Sequence, residues 1–168
     1  MLPIHTVPDP VLRQKAKRVR LIDDSIHRLI SNMIETMHAA PGVGLAAPQV
    51  GIPLRVVVIG IPEQEEIVLI NPEIVKIAGE RWVSEGCLSI PGYVGEIKRA
   101  EAVTVKGRNR NGQQIRLRAK DLLAQALEHE LDHLNGVLYI DRLENKDQLR
   151  KVEPEKPEAD RTDNNKKE

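Results

Sequence analysis

Residues 121–136 constrain this chain more than any other stretch. His129-Glu130-Leu131-Asp132-His133 lies among Leu122, Leu123, Ala126, Leu127, Leu131 and Leu134, which recur at helical spacing and form one apolar stripe. The helix is expected to begin near Asp121, and Asn135-Gly136 supplies its stop. Side chains four apart stand one above the other on a helix, so His129 and His133 can both reach one metal ion. Glu130 follows the first histidine and falls beside the ion without binding it, close enough to exchange a proton with a water held there. The plainer alternative is a solvated helix face that happens to carry two histidines. The spacing favours a metal-dependent hydrolase.

What surrounds this helix reads as a single α+β domain over residues 1–150, with short antiparallel strands packed around the central metal-binding helix. Val7-Pro8-Asp9-Pro10 opens a short helix, with Asp9 able to cap it. A longer helix is predicted from Asp23 or Asp24, since Ile26, Leu29, Ile30, Met33, Ile34 and Met37 make one face and Pro41-Gly42 ends it. Strands are predicted at 54–59, 66–71, 73–78, 80–84 and 101–107, with breaks at Pro72 and Gly79. Asn111-Gly112 then turns the chain into 113–118 as a β-hairpin. With 2% aromatic residues and no Phe, the core must be built from Ile, Val, Leu, Ala and Met. Residues 151–168 are almost free of apolar side chains and are expected to form a disordered charged tail.

Charge and cysteine content narrow the partners. Formal net charge is zero, from 25 basic and 25 acidic residues, so no global field favours nucleic acid or a membrane. One cysteine excludes an intramolecular disulfide and fits a reducing compartment. No apolar run approaches the roughly 20 residues that span a bilayer, and the first ten residues show no secretory pattern. A cytoplasmic location is expected, and a mature organellar protein would read the same way.

Two histidines leave a catalytic metal one protein ligand short. The chain follows the H-E-x-x-H-x-x-G-x-x-H pattern of a large class of zinc proteases as far as Gly136, then has Tyr139 where the third His belongs. Glu144 follows too closely to be the downstream glutamate that other H-E-x-x-H proteases use. Cys87 remains, and it reads two ways. A lone cysteine is commonly a small buried hydrophobe; as a thiolate beside two imidazoles it would complete a tetrahedral site with one open position.

Three stretches together resemble one family. Gly42-Val43-Gly44-Leu45-Ala46-Ala47-Pro48-Gln49, Glu85-Gly86-Cys87-Leu88-Ser89 and His129-Glu130-Leu131-Asp132-His133-Leu134-Asn135-Gly136 are similar to the three motifs of the peptide deformylases, complete and in order. The resemblance runs from about Pro3 to about Leu143. It implies hydrolysis of the formyl group from the formyl-methionine of newly made polypeptides. It assigns Cys87, His129 and His133 as ligands of one divalent ion, natively Fe2+ and replaceable by Zn2+, Ni2+ or Co2+.

The same resemblance makes Glu130 the proton carrier, and Gln49 and the backbone N–H of Leu88 the donors to the developing oxyanion. By itself, Gln49 reads more readily as a surface glutamine in a Pro-Gln turn than as a donor to substrate. Gly44 would let backbone approach a peptide, and Val43, Val83, Leu122 and Ala126 would line the methionine pocket. Val94 and Gln125 replace an arginine and an aliphatic residue found in some relatives. The implied partners are N-formyl-methionyl nascent peptides, with the ribosome a candidate. Two other readings are a metallopeptidase with an unusual ligand set and a metal-binding protein without turnover; Tyr139 disfavours the first and the intact Glu130 the second.

Overall fold

In the computed structural model, which describes residues 1–153, seven consecutive strands separate two helices and an eighth strand follows the second helix. In order they are α1 (Asp24–Ala39), β1 (Gly44–Ala46), β2 (Val56–Ile59), β3 (Ile67–Ala78), β4 (Arg81–Cys87), β5 (Ile90–Arg99), β6 (Ala102–Arg108), β7 (Gln114–Lys120), α2 (Asp121–Leu134) and β8 (Leu149–Lys151). Short 3-10 turns fill Pro10–Arg13, Ala47–Val50, Tyr139–Arg142 and Lys146–Gln148. The strands make a five-stranded sheet, β1-β2-β3-β6-β7, and a three-stranded sheet, β4-β5-β8. Every paired strand is antiparallel. The α+β class expected from the sequence is the observed one.

The β-branched run of β2 explains the layering. All four of its residues are buried, because successive side chains point to opposite faces and both faces are covered. Val57 and Ile59 join Leu127, Leu131 and Leu134 of α2 in one core, whereas Val56 and Val58 join Ile30, Met33 and Met37 of α1 in a second. A third core lies under the smaller sheet, where Val83, Ile90 and Ile97 meet Leu12, Leu138 and Tyr139. Asp23 caps α1 by accepting from the N–H groups of Ser25 and Ile26 at 3.0 and 3.2 Å. After α2 the chain turns at Gly136, whose φ is +72°. A Cβ there would lie 2.5 Å from the Arg13 carbonyl oxygen, so only glycine fits.

Three expectations need correction. The strands predicted either side of Pro72 are one strand, β3. Register shifts between Ile70 and Glu73 bulge it at the proline, and Asn71 adopts φ +52°, so the missing N–H costs no ladder bond. Asn71 then exchanges side-chain hydrogen bonds with the backbone of Val19 at 2.8 and 2.9 Å. The second correction is β5, which the sequence reading left without a strand although it is the centre of the smaller sheet. Third, the boundary drawn at residue 150 cuts through β8: Lys151 pairs with Tyr93, and the Val152 N–H donates to the Gly92 carbonyl at 3.0 Å. The rest of the expected tail, from residue 154, lies outside the described residues.

Candidate active site

Helix α2 and the last residue of β4 bring the three ligand candidates together. Cys87 Sγ lies 3.3 Å from His133 Nε2, and the two Nε2 atoms of His129 and His133 are 3.2 Å apart. All three ligand atoms fall within 4.8 Å of one another. Two imidazole nitrogens and a sulfur with their lone pairs facing one another repel unless a proton or cation lies between them. A thiolate and two imidazoles are a donor set that zinc, ferrous iron and their neighbours accept. These residues fit a divalent ion.

A buried charge network holds the ligands from behind. Glu85, two residues before Cys87 on β4, contacts His129 Nδ1 through Oε1 and receives Arg99 Nε on Oε2 at 3.0 Å. Arg99 also donates from Nη1 to Asp132 at 2.8 Å, and Arg142 donates twice to the same carboxylate at 2.6 and 2.7 Å. The Arg99 side chain is fully buried. Burial pushes the Glu85 carboxyl up, but His129 and Arg99 outweigh it and hold the pKa at about 2. A carboxylate on the far nitrogen of a metal-binding histidine fixes its tautomer and ring orientation. Burial by itself pushes both histidine pKa values down. The charge of Glu130 and hydrogen bonds with Cys87 and Glu85 outweigh it for His129, whereas the charge of His129 drives His133 further down.

Glu130 is 3% exposed, and its Oε1 has no hydrogen-bond partner among the described residues. Burial raises its pKa to about 7, against the pull of His129. It projects towards β1: a Cβ on Gly44 would stand 2.5 Å from Glu130 Oε2.

Gln49, which on its own read as a surface glutamine, is 1% exposed. Its Oε1 accepts from the Ala46 N–H at 2.9 Å, which turns Nε2 towards Ser89 Oγ at 3.2 Å and Cys87 Sγ at 3.6 Å. Leu88 and Ser89 form the two-residue turn between β4 and β5. The Ser89 N–H donates to Cys87 Sγ at 3.4 Å. The Leu88 N–H has no acceptor among the described residues.

A cleft of about 370 Å³ opens over this cluster. Val43, Gly44, Gln49, Cys87, Leu88, Leu122, Ala126, His129 and Glu130 all line it. Val83 does not. It shares the inward face of β4 with Glu85 and Cys87, but four residues along a strand is about 13 Å, and Val83 packs with Leu12 and Tyr139 in the third core. Leu122 is 42% exposed at the rim. Gln125 lines the cleft and donates to the Ser84 carbonyl at 3.2 Å and to Glu85 Oε2 at 3.3 Å.

No role for Glu85, Arg99, Asp132 or Ser89 follows from the sequence alone. The i, i+2 spacing of Glu85 and Cys87 on one strand face was the available signal. Nothing in the sequence marks Arg99 as buried.

Comparison with known proteins decides the family. The sequence profile described as polypeptide deformylase matches residues 1–149. This chain belongs to the peptide deformylase family. Peptide deformylases are metal-dependent hydrolases that remove the N-formyl group from newly synthesised polypeptides. The peptide deformylase of Dehalococcoides mccartyi strain CBDB1 is 58% identical over 153 residues, covering 90% of this chain and 92% of the relative. That of Halothermothrix orenii is 51% identical over 144 residues, 85% of this chain and 94% of the relative. A solved peptide deformylase from Synechococcus elongatus in complex with actinonin superposes with a TM-score of 0.85 at 49% identity, covering 88% and 81% of the two chains. The Legionella pneumophila enzyme gives 0.83 at 48% identity, covering 85% and 86%. No helix among the described residues is long and apolar enough to cross a membrane.

Proposed function

We propose that Cys87, His129 and His133 hold the metal of this peptide deformylase, that Glu130 carries the proton, and that Gln49 and Leu88 receive the developing oxyanion. The observation that carries this reading is a buried carboxylate oxygen, Glu130 Oε1, without a partner among the described residues, beside three converged ligand atoms. When bound, the ion supplies the positive charge that acidifies water and polarises the formyl group. Glu130 takes a proton from the attacking water and delivers it to the amine that leaves. As the formyl oxygen gains charge it needs donors already aimed at it. Gln49 Nε2, fixed by the Ala46 N–H, and the Leu88 N–H, next in the chain to Cys87, fill that role. Glu85 keeps His129 oriented with Nε2 towards the ion.

Val43, Gly44, Leu122 and Ala126 receive the methionine side chain and the peptide backbone beside it. Ferrous iron is the native ion in this reading, with zinc, nickel and cobalt able to replace it; an S-plus-two-N site suits all of them. The substrate is a chain emerging from synthesis, which places the work in the cytoplasm and makes the ribosome the partner from which substrate is received.

Replacing Glu130 by Gln keeps the shape and removes the proton acceptor. The variant should retain its metal and lose at least about 100-fold in kcat, with metal content and rate measured on one sample. A metal-loaded variant that turns over at the parent rate removes Glu130 from the mechanism.

A further inference from the structure

The two proposed oxyanion donors sit on different sheets. Gln49 follows β1 of the five-stranded sheet, and Leu88 lies between β4 and β5 of the three-stranded sheet. No strand of one sheet pairs with a strand of the other, so no backbone ladder sets the spacing between the donors. Preorganised donors must hold to within about 0.5 Å to be effective. Outside the sheets, the Gln49 side chain joins the two loops by donating to Ser89 Oγ at 3.2 Å, which leaves the spacing of their backbones to a further tie.

One stretch of chain touches both loops. The His5 N–H donates to the Gln49 carbonyl at 2.7 Å, and two residues later the Val7 N–H donates to the Ser89 carbonyl at 2.9 Å. The stretch is tied down at both ends. The Leu2 N–H donates to Thr36 Oγ1 of α1 at 2.9 Å. At the other end Asp9 contacts His5 Nδ1 at 2.6 Å and accepts from the Val11 N–H at 3.0 Å, which starts the turn that buries Leu12. The His5 ring also fills the space beside Gly51, where a Cβ would come within 2.6 Å of its Nε2. Gly51 closes the 47–50 turn at φ +83°. His5, Val7 and Asp9 belong to none of the three motifs, and none lines the cleft.

We infer that residues 5–7 are a positioning strap that sets the spacing between the Gln49 turn and the Leu88-Ser89 turn, aiming both donors at one point. The inference rests on the reading of Gln49 and Leu88 as oxyanion donors. Residues 5–7 meet no substrate; they act through the loops they tie.

Proline in place of His5 or Val7 deletes the N–H that ties the loop, and alanine keeps it. Comparing Val7→Pro with Val7→Ala, and His5→Pro with His5→Ala, therefore isolates the backbone bond. Each proline variant should fall about tenfold or more below its alanine partner in kcat, since small misplacements of reacting groups cost up to about 100-fold. KM for a formyl-Met-Ala-Ser peptide and metal content should hold, while amide exchange in residues 47–50 and 87–90 quickens.

In a Gln49→Leu background the proline effect should shrink to about threefold or less, because linked sites are not additive. Equal kcat in the proline and alanine variants, or a full proline effect without Gln49, overturns the strap. If Gln49→Leu alone leaves kcat intact, the donor reading fails instead. Should a proline variant melt below the assay temperature, Asp9→Asn loosens the strap without touching the backbone bonds. It should lower kcat in the same direction at constant KM, and an unchanged kcat there also counts against the strap.

Discussion

A methyl group at position 44 would stand 2.5 Å from Glu130 Oε2, so this one glycine ties a β-strand to the proposed proton carrier. Gly44→Ala should push the carboxylate aside and cost about 10- to 100-fold in kcat. Metal content should hold, and kinetics with metal analysis on the same sample check both. Parent-like turnover would mean that Glu130 has room to move without consequence.

Arg99 makes the opposite case, a large charged residue wholly inside. It bridges Glu85 of β4 to Asp132 of α2. Arg99→Met leaves two buried carboxylates without their common cation, and should destabilise the fold by roughly 3–5 kcal/mol in denaturant unfolding. Such a residue is illegible in sequence because an arginine is by default exposed. The histidine pair was legible for the reverse reason: its i, i+4 spacing has one geometric consequence wherever the helix lies. Gln49 read two ways because its burial depends on the Ala46 N–H and Ser89 Oγ, which only tertiary packing brings to it.

At the scale of elements, α1, α2 and the β6–β7 hairpin follow from periodicity and turn chemistry, and they form as expected. Strand β5 is hard to see in the sequence because Pro91, Gly92 and Gly95 interrupt a strand pattern. The register shift between Glu85 and Cys87 absorbs the proline and first glycine as a bulge in its pairing with β4. Strand β8 was hidden by its three-residue length and by its position at the edge of the charged C-terminal stretch. It closes the smaller sheet, and Leu149 packs on the third core. Removing residues 154–168 should leave the melting temperature within about 1 °C, since that segment offers almost no apolar surface. Removing residues 149–168 should lower it by several degrees or more, at about 4 °C per kcal/mol for a domain of this size. Equal melting of the two truncations would show that β8 adds nothing to the fold.

For the whole molecule, the site exists only where the two sheets and α2 meet. The five-stranded side supplies Gly44 and Gln49, the smaller sheet supplies Glu85, Cys87 and Leu88, and α2 supplies His129, Glu130 and His133. No single element carries enough of the chemistry to act alone, so the motifs scattered over the sequence become one centre through packing.

Everything proposed for this chain requires that centre to be a metal-dependent deformylating site. The most direct test is formate release from formyl-Met-Ala-Ser against the acetylated peptide, made anaerobically on as-isolated protein with bound metal quantified in the same sample. The expected result is about one divalent ion per chain, most of it iron. Formate should be released rapidly, with no measurable loss of the acetyl group. Metal-loaded protein that releases no formate, or metal-free protein that releases it at the same rate, would contradict the proposal.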